Sequence, residues 1–283
     1  MTLQAVLKAP VVAVQDLLGL EDFATAASVC WVTFATAFVV LRFVYRAERP
    51  RGAALRAGDL PKKEPDPPRN FTIEQLHEFN GTDEATAAYV ALRGEVFDVS
   101  EAPQHYKKGG AYNVFAGRDA SVNLATLSFE EQTLDSKDWG SLGAGERDAL
   151  DGWVEKFRHY SGYPVVGRVV TPPEPREFTR EELKAFTGEQ EVPEGYAAAP
   201  IYVGVKGKVY DMSFGGVVNY GPGKTYHLFA GRDASVALAK MSFDKALLEE
   251  PDMSTLSESD LEVLDDWASK LAKKYPVVGI IKA

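Results

Sequence analysis

With 283 residues, of which 45% are apolar and 25% charged, the chain has room for about two domains that bury their own cores, and its composition excludes a disordered polymer. The single cysteine, Cys30, excludes a disulfide framework and any CxxC chemistry. The net charge of −10 is uneven: residues 1–69 hold 9 of the 31 basic and 7 of the 41 acidic groups, leaving 22 and 34 after them, a net of −12 that argues against nucleic acid as a partner.

In chain order, residues 3–20 are apolar but broken by Pro10, and an uncharged run of 19 residues, Phe23 to Leu41, follows. At about 1.5 Å per residue such a helix reaches ~28 Å, close to the ~30 Å hydrocarbon core of a bilayer. Asp16, Glu21 and Asp22 precede it, and Arg42, Arg46, Arg49, Arg51 and Arg56 come after. A cleaved signal peptide has the opposite polarity. The pattern predicts a single retained transmembrane helix at about 23–44 within an N-terminal segment 1–46, with the N-terminus outward. Residues 47–69, with Pro50, Pro61, Pro65, Pro67 and Pro68, read as an extended linker.

The rest of the sequence repeats. FAGRDASVNLA at 115–125 returns as FAGRDASVALA at 229–239, and Trp153 returns as Trp267. The predicted domains are 70–171 and 174–283, joined through Pro172, Pro173 and Pro175, a stiff connection. Each repeat opens on a capping-box spacing, Thr72 with Gln75 and Thr179 with Glu182. A hairpin-like alternation follows and turns at Arg93-Gly94 and at Lys206-Gly207. A later helix aligns Leu150, Trp153 and Phe157, or Leu264, Trp267 and Leu271, on one face. PVVG at 164–167 and 276–279 reads as a closing strand. The fold class is α+β, twice. Asp119 and Asp233 read as helix caps, with Arg118 and Arg232 bracing the adjacent loops.

The strings HYKKGGAYNVFAGRDASVNLA and NYGPGKTYHLFAGRDASVALA resemble the membrane-associated progesterone receptor component family, a branch of the cytochrome b5-like haem/steroid-binding fold. The resemblance covers 70–170 and 176–282 and implies two tandem cytochrome b5-like domains. It also implies haem b held non-covalently through a tyrosine, protein partners such as haem-thiolate monooxygenases, and a link to sterols. An electron-carrying cytochrome b5 needs two axial histidines, the first in an HPGG loop. This chain has only His77, His105, His159 and His227, and the second axial position falls on Phe129 and Phe243. Tyrosine ligation is chemically sound, because ferric iron holds a phenolate and a hard anionic ligand favours the ferric state.

Matched onto the family pattern, the axial ligand is Tyr226 in the second repeat and Tyr112 in the first, with Tyr220 and Tyr106 as pocket tyrosines. Lys274 and Tyr275 match the family's Lys-Tyr pair near the haem. In the first repeat a two-residue insertion, with Ser161 and Gly162 as candidates, leaves Tyr163 without a lysine beside it. A lysine suits a haem propionate, so the second repeat is expected to be the better site. His227 follows the axial position where the family has a small residue; it is open to blocking the haem face, supplying a sixth ligand, or facing solvent.

These readings predict a membrane-anchored haem-binding adaptor and no enzyme, because no hydrolytic triad, phosphate loop or metal-ligand cluster appears. The alternative is an accessory structural subunit of a larger membrane complex, for example a respiratory one, with weak or lost haem binding. The family points to the endoplasmic reticulum, while a mitochondrial inner membrane satisfies the charge rule equally.

Overall fold

The computed structural model describes residues 65–283 apart from positions 84, 250 and 283, and the helix expected at 23–44 lies outside the described residues. Among the described residues no helix is long and apolar enough to cross a membrane. Residues 65–283 form one compact unit that contains both repeats.

The first repeat runs β1 (Arg69–Phe71), α1 (Ile73–His77), β2 (Tyr89–Leu92), β3 (Glu95–Asp98), α2 (Pro103–Tyr106), β4 (Arg118–Asp119), α3 (Ser121–Thr126), α4 (Ala144–Glu155) and β5 (Val165–Val169). The second runs β6 (Arg176–Phe178), α5 (Arg180–Leu183), β7 (Tyr202–Val205), β8 (Lys208–Asp211), α6 (Val217–Tyr220), β9 (Arg232–Asp233), α7 (Ser235–Ala239), α8 (Ala246–Glu249), α9 (Glu258–Lys274) and β10 (Val277–Ile281). Each builds a five-stranded sheet of the same order, β1-β5-β3-β2-β4 and β6-β10-β8-β7-β9.

Local chemistry explains the elements. Both capping boxes form: Thr72 and Thr179 accept from the amides of Gln75 and Glu182, whose side chains return to the cap amides. Both hairpins turn through consecutive positive φ angles, 50° and 74° at Arg93 and Gly94 and 52° and 75° at Lys206 and Gly207, as a two-residue type I′ connection requires. In the closing strands, a Cβ on Gly167 or Gly279 would collide with the carbonyl of Arg69 or Arg176 and with the ring of Phe71 or Phe178. Only glycine lets the parallel pairs β1–β5 and β6–β10 close.

Each sheet divides a repeat into a small and a large core. Phe71, Leu76, Ala91 and Val96 fill the small one in the first repeat; Phe178, Leu183, Tyr202 and Val209 fill it in the second. The large cores take Val90, Phe97, Phe115, Leu150 and Phe157, and Val203, Tyr210, Phe229, Leu264 and Leu271. The late helices thus bury the face expected from their apolar spacing.

Three details differ from expectation. Strand β1 starts at Arg69, inside the segment read as linker. The aspartates of the FAGRDAS motif are not N-caps: Ala120 and Ala234 occupy that position, and the Asp119 and Asp233 carboxylates accept from the amide and hydroxyl of Ser121 and Ser235 one step further in. Helix α4 ends in a π turn, Lys156–Tyr160, whereas α9 runs unbroken to Lys274. That turn, with Gly162 at φ 64°, takes up the extra residues of the first repeat, and Tyr163 still returns to the Phe157 carbonyl at 2.9 Å.

The repeats are joined by more than their proline-rich connection. The buried Asn70 side chain donates to the Ala198 carbonyl (3.0 Å) and the Ser213 hydroxyl (2.9 Å), and accepts from the amides of Ala197 (2.8 Å) and Ala198 (3.2 Å). Its own amide donates to the Ser213 carbonyl at 3.0 Å. Gln75 adds donations to the carbonyls of Phe214 and Lys274, both at 2.9 Å. The receiving loop lies between the bridge partners Thr187 and Ile201, longer than its counterpart between Asn80 and Ala88.

Candidate functional site

In each repeat a one-turn helix, α2 or α6, ends in a buried tyrosine, Tyr106 or Tyr220. A short loop then reverses through a glycine at positive φ, Gly109 or Gly223. The following tyrosine amide closes back on the carbonyl of His105 (Tyr112, 2.9 Å) or Asn219 (Tyr226, 3.0 Å). The reversal brings residues six apart side by side. The Tyr106 and Tyr112 rings lie 6.0 Å apart and the Tyr220 and Tyr226 rings 5.6 Å, both tilted by 35°.

The late tyrosines join them. Tyr163 meets Tyr106 edge-on at 6.1 Å, and Tyr275 meets Tyr220 edge-on at 6.3 Å. The Lys274 ammonium sits 5.4 Å from the Tyr275 ring centroid. All seven residues singled out from sequence therefore fall into two equivalent clusters, three in the first repeat and four in the second. Within each cluster the two neighbouring tyrosines differ. Burial pushes the Tyr106 and Tyr220 hydroxyls well above the ordinary phenol value, so they stay protonated. Tyr112 and Tyr226 are only partly buried. Of each pair, Tyr112 and Tyr226 are the tyrosines that present part of their rings to solvent.

Each of those tyrosines also stacks on two phenyl rings. Tyr112 lies 6.0 Å from Phe115 and 6.1 Å from Phe129; Tyr226 lies 6.0 Å from Phe229 and 5.9 Å from Phe243. Phe129 and Phe243 are 54% exposed, and beside them Leu127 and Met241 are 73% and 75% exposed at φ 54° and 48°. Sequence reading marked the phenylalanines only as the place where a second histidine is lacking, and missed the lip they form with Leu127 and Met241. The repeated tripeptides LSF and MSF were the available signal.

His227 is held within the loop by two contacts. Its Nδ1 lies 3.0 Å from the Tyr220 carbonyl and its Nε2 3.4 Å from a Glu189 carboxylate oxygen, with the side chain 24% exposed. Asn113 does the same in the first repeat, its Nδ2 donating to the Tyr106 carbonyl at 3.4 Å. The arginines of the motif also part ways. Arg118 binds Asp135 at 2.6 Å as expected of a brace, while Arg232 has no ion-pair partner among the described residues.

A cavity of about 110 Å³ lies against Tyr226, between Phe229, Leu238, Phe243 and Trp267. Enclosed small-molecule pockets run to roughly 300–1,000 Å³, so this one does not surround a porphyrin. The residues nonetheless fit haem as an open-face site: a partly exposed phenol as donor, an ammonium for a propionate, and exposed apolar surface to cover.

Residues 72–169 and 179–282 each match the family described as the Cytochrome b5-like Heme/Steroid binding domain. Membrane steroid-binding protein 2 of Arabidopsis thaliana is 35% identical over 175 residues, covering 56% of this chain and 72% of the relative. Probable steroid-binding protein 3 of the same plant is 46% identical over 101 residues, 36% of this chain and 98% of the relative. Membrane-associated progesterone receptor component 2 of Homo sapiens is 36% identical over 117 residues, 40% of this chain and 51% of the relative. A solved Arabidopsis thaliana structure described as having a cytochrome b5 like fold is 41% identical, covers 40% of this chain and all of its own, and gives a TM-score of 0.34. With two matching segments that span most of its length, the chain belongs to the cytochrome b5-like haem/steroid-binding domain family.

Proposed function

We propose that this chain is a membrane-anchored haem-binding adaptor of the progesterone-receptor-component type, with Tyr226 and Tyr112 as iron ligands and the second repeat as the stronger site. The observation that carries the reading is the recurrence of one arrangement in both repeats: a partly exposed tyrosine, a buried tyrosine beside it, and an exposed apolar lip. Bound haem would supply a ferric centre able to recruit or regulate a partner. In the second repeat Tyr220 and Tyr275 would wall the site and Lys274 would meet a propionate; in the first, Tyr106 and Tyr163 would stand without a lysine. A steroid is a second ligand in keeping with the names of the relatives. Their names also support attachment to a membrane, through the segment at 23–44, with the endoplasmic reticulum as the favoured site. The role is one of binding rather than catalysis.

An optical spectrum of the detergent-purified full chain with a haem-to-protein ratio tests this. A Soret band that Tyr226→Phe and Tyr112→Phe together abolish, in a protein that still melts cooperatively, is the expected result. No Soret band after haem reconstitution, or one indifferent to both substitutions, would instead favour the accessory-subunit role, which the first repeat, with no lysine beside Tyr163, already suits.

A further inference from the structure

The two repeats treat the arginine of their shared motif differently. In the first, Asp135 closes the site: its carboxylate takes Arg118 Nε at 2.6 Å, His77 Nε2 at 2.9 Å and the Asp119 amide at 2.8 Å. To reach there Asp135 adopts φ 61°, the left-handed region, and its amide returns to the Asp119 carbonyl at 2.8 Å. A built-in carboxylate thus neutralises Arg118 and takes the His77 ring nitrogen in the first repeat.

In the second repeat the matching residues are Arg232, Lys184 and Asp233, but the chain that carries Asp135 in the first folds here into helix α8. No carboxylate reaches Arg232, and no side chain takes the Asp233 amide, among the described residues. A cleft of about 570 Å³ opens instead, lined by Lys184, Lys224, Arg232 and Lys245, with Thr187 and Thr225 between them. Lys224, Arg232 and Lys245 have no ion-pair partner among the described residues. Glu181 pairs with Lys184 at 2.6 Å, and Glu189, which also lines the cleft, lies 3.4 Å from His227, so neither reaches the other three cations. Three uncompensated cations around one cleft stand out on repeats whose net charge is −12.

We propose that this cleft binds a phosphate-class anion, which takes the place that Asp135 fills in the first repeat. In the first repeat a single carboxylate takes one guanidinium and one imidazole nitrogen; three cations without an ion-pair partner call for a dianion or polyanion. A guanidinium and ammonium groups are the natural donors to phosphate oxygens. The source is either a soluble phosphate ester or a phospholipid headgroup, which share this chemistry. The site is separate from the tyrosine cluster and does not depend on haem.

The test is calorimetric titration of the full chain in detergent with pyrophosphate at low ionic strength, where such contacts are least screened. We expect saturable binding at one site per chain. Arg232→Gln should weaken it about tenfold or more, the loss of a charge-assisted hydrogen-bonding group, and Lys245→Gln should weaken it several-fold. Lys208→Gln, the same charge change outside the cleft, should leave it unaltered, and melting curves check that each variant is folded. A second arm repeats the titration in phosphatidylcholine nanodiscs with and without phosphatidic acid. Loss of pyrophosphate binding only with the acidic lipid assigns the site to a headgroup; retained binding assigns it to a soluble phosphate. Absence of saturable binding, or equal weakening by Lys208→Gln and Arg232→Gln, overturns the proposal.

Discussion

The Nδ1 of His227 lies 3.0 Å from the carbonyl oxygen of Tyr220, within reach of an N–H donation that ties the residue after one site tyrosine to the backbone of the other. Asn113 and Tyr106 repeat the tie. The side chain thus acts as a strut within the loop that sets the spacing of the two rings. His227→Gly should lower haem retention by a few-fold to about tenfold, as expected for one hydrogen bond worth ~0.5–1.5 kcal/mol. His227→Asn, which copies the first repeat, should restore it. Tighter binding in the glycine variant would show that the imidazole obstructs the site instead.

The two haem sites should rank by their lysine. In the full chain Tyr226→Phe is expected to remove more haem per protein than Tyr112→Phe, and Lys274→Ala should weaken the second site by up to about tenfold. Equal losses from the two tyrosine variants, with no effect of Lys274→Ala, would remove the basis for the ranking.

Asn70 offers a stability test that leaves the sites untouched. Asn70→Ala strands the amides of Ala197 and Ala198 and the Ser213 hydroxyl, all previously satisfied across the seam. A cost of about 2–4 kcal/mol is expected, equivalent to a fall in Tm of roughly 4–16 °C for a unit of this size. A change under about 1 °C would mean that the seam adds nothing to folding.

Asp211 makes the seam sensitive to pH. Its carboxylate is buried, Oδ2 has no hydrogen-bond partner, and burial raises the group to about 6 against an ordinary value near 4. A raised folded value means that the stabilising form is the protonated one. That contribution is complete below about pH 4 and lost as pH rises through about 6. Asp119 behaves alike, raised by burial to about 6. The carboxylates held low by capping, such as Glu74 and Asp260, lose their contribution only further into acid. Asp211→Asn should therefore gain stability relative to the parent as pH rises from about 4 to about 6 and keep that gain above it, by ~1–2 kcal/mol from urea unfolding curves. Parallel profiles would exclude Asp211 as the titrating group.

What could be read from sequence was what short-range chemistry decides. Thr72 and Gln75, three residues apart, cap a helix, Arg93-Gly94 turns a hairpin, and the spacing of Leu264, Trp267 and Leu271 faces one helix side inward. The tyrosine clusters were legible because the family pattern supplied positions that composition alone does not. Asn70 was not legible: its partner Ser213 lies 143 residues away, and nothing in the local string RNFT signals a buried side chain. Nor was the π turn of the first repeat, where the extra residues could equally have formed a surface bulge. The unpaired Arg232 was hidden because its motif is identical to that around Arg118, and only the divergent chain after it changes the outcome.

The seam also decides how the molecule meets mechanical force. Strand β1 follows directly on the prolines at 65, 67 and 68, so any tension from the N-terminal side enters the fold at Arg69. Along the sheet, β1 is held by a parallel pairing with β5, Arg69 beside Gly167 through Phe71 beside Val169. The next residue, Asn70, passes part of that pull to the second repeat through Ala197, Ala198 and Ser213. A tether acting on the first repeat therefore strains both, and the two should yield in one rupture event rather than two.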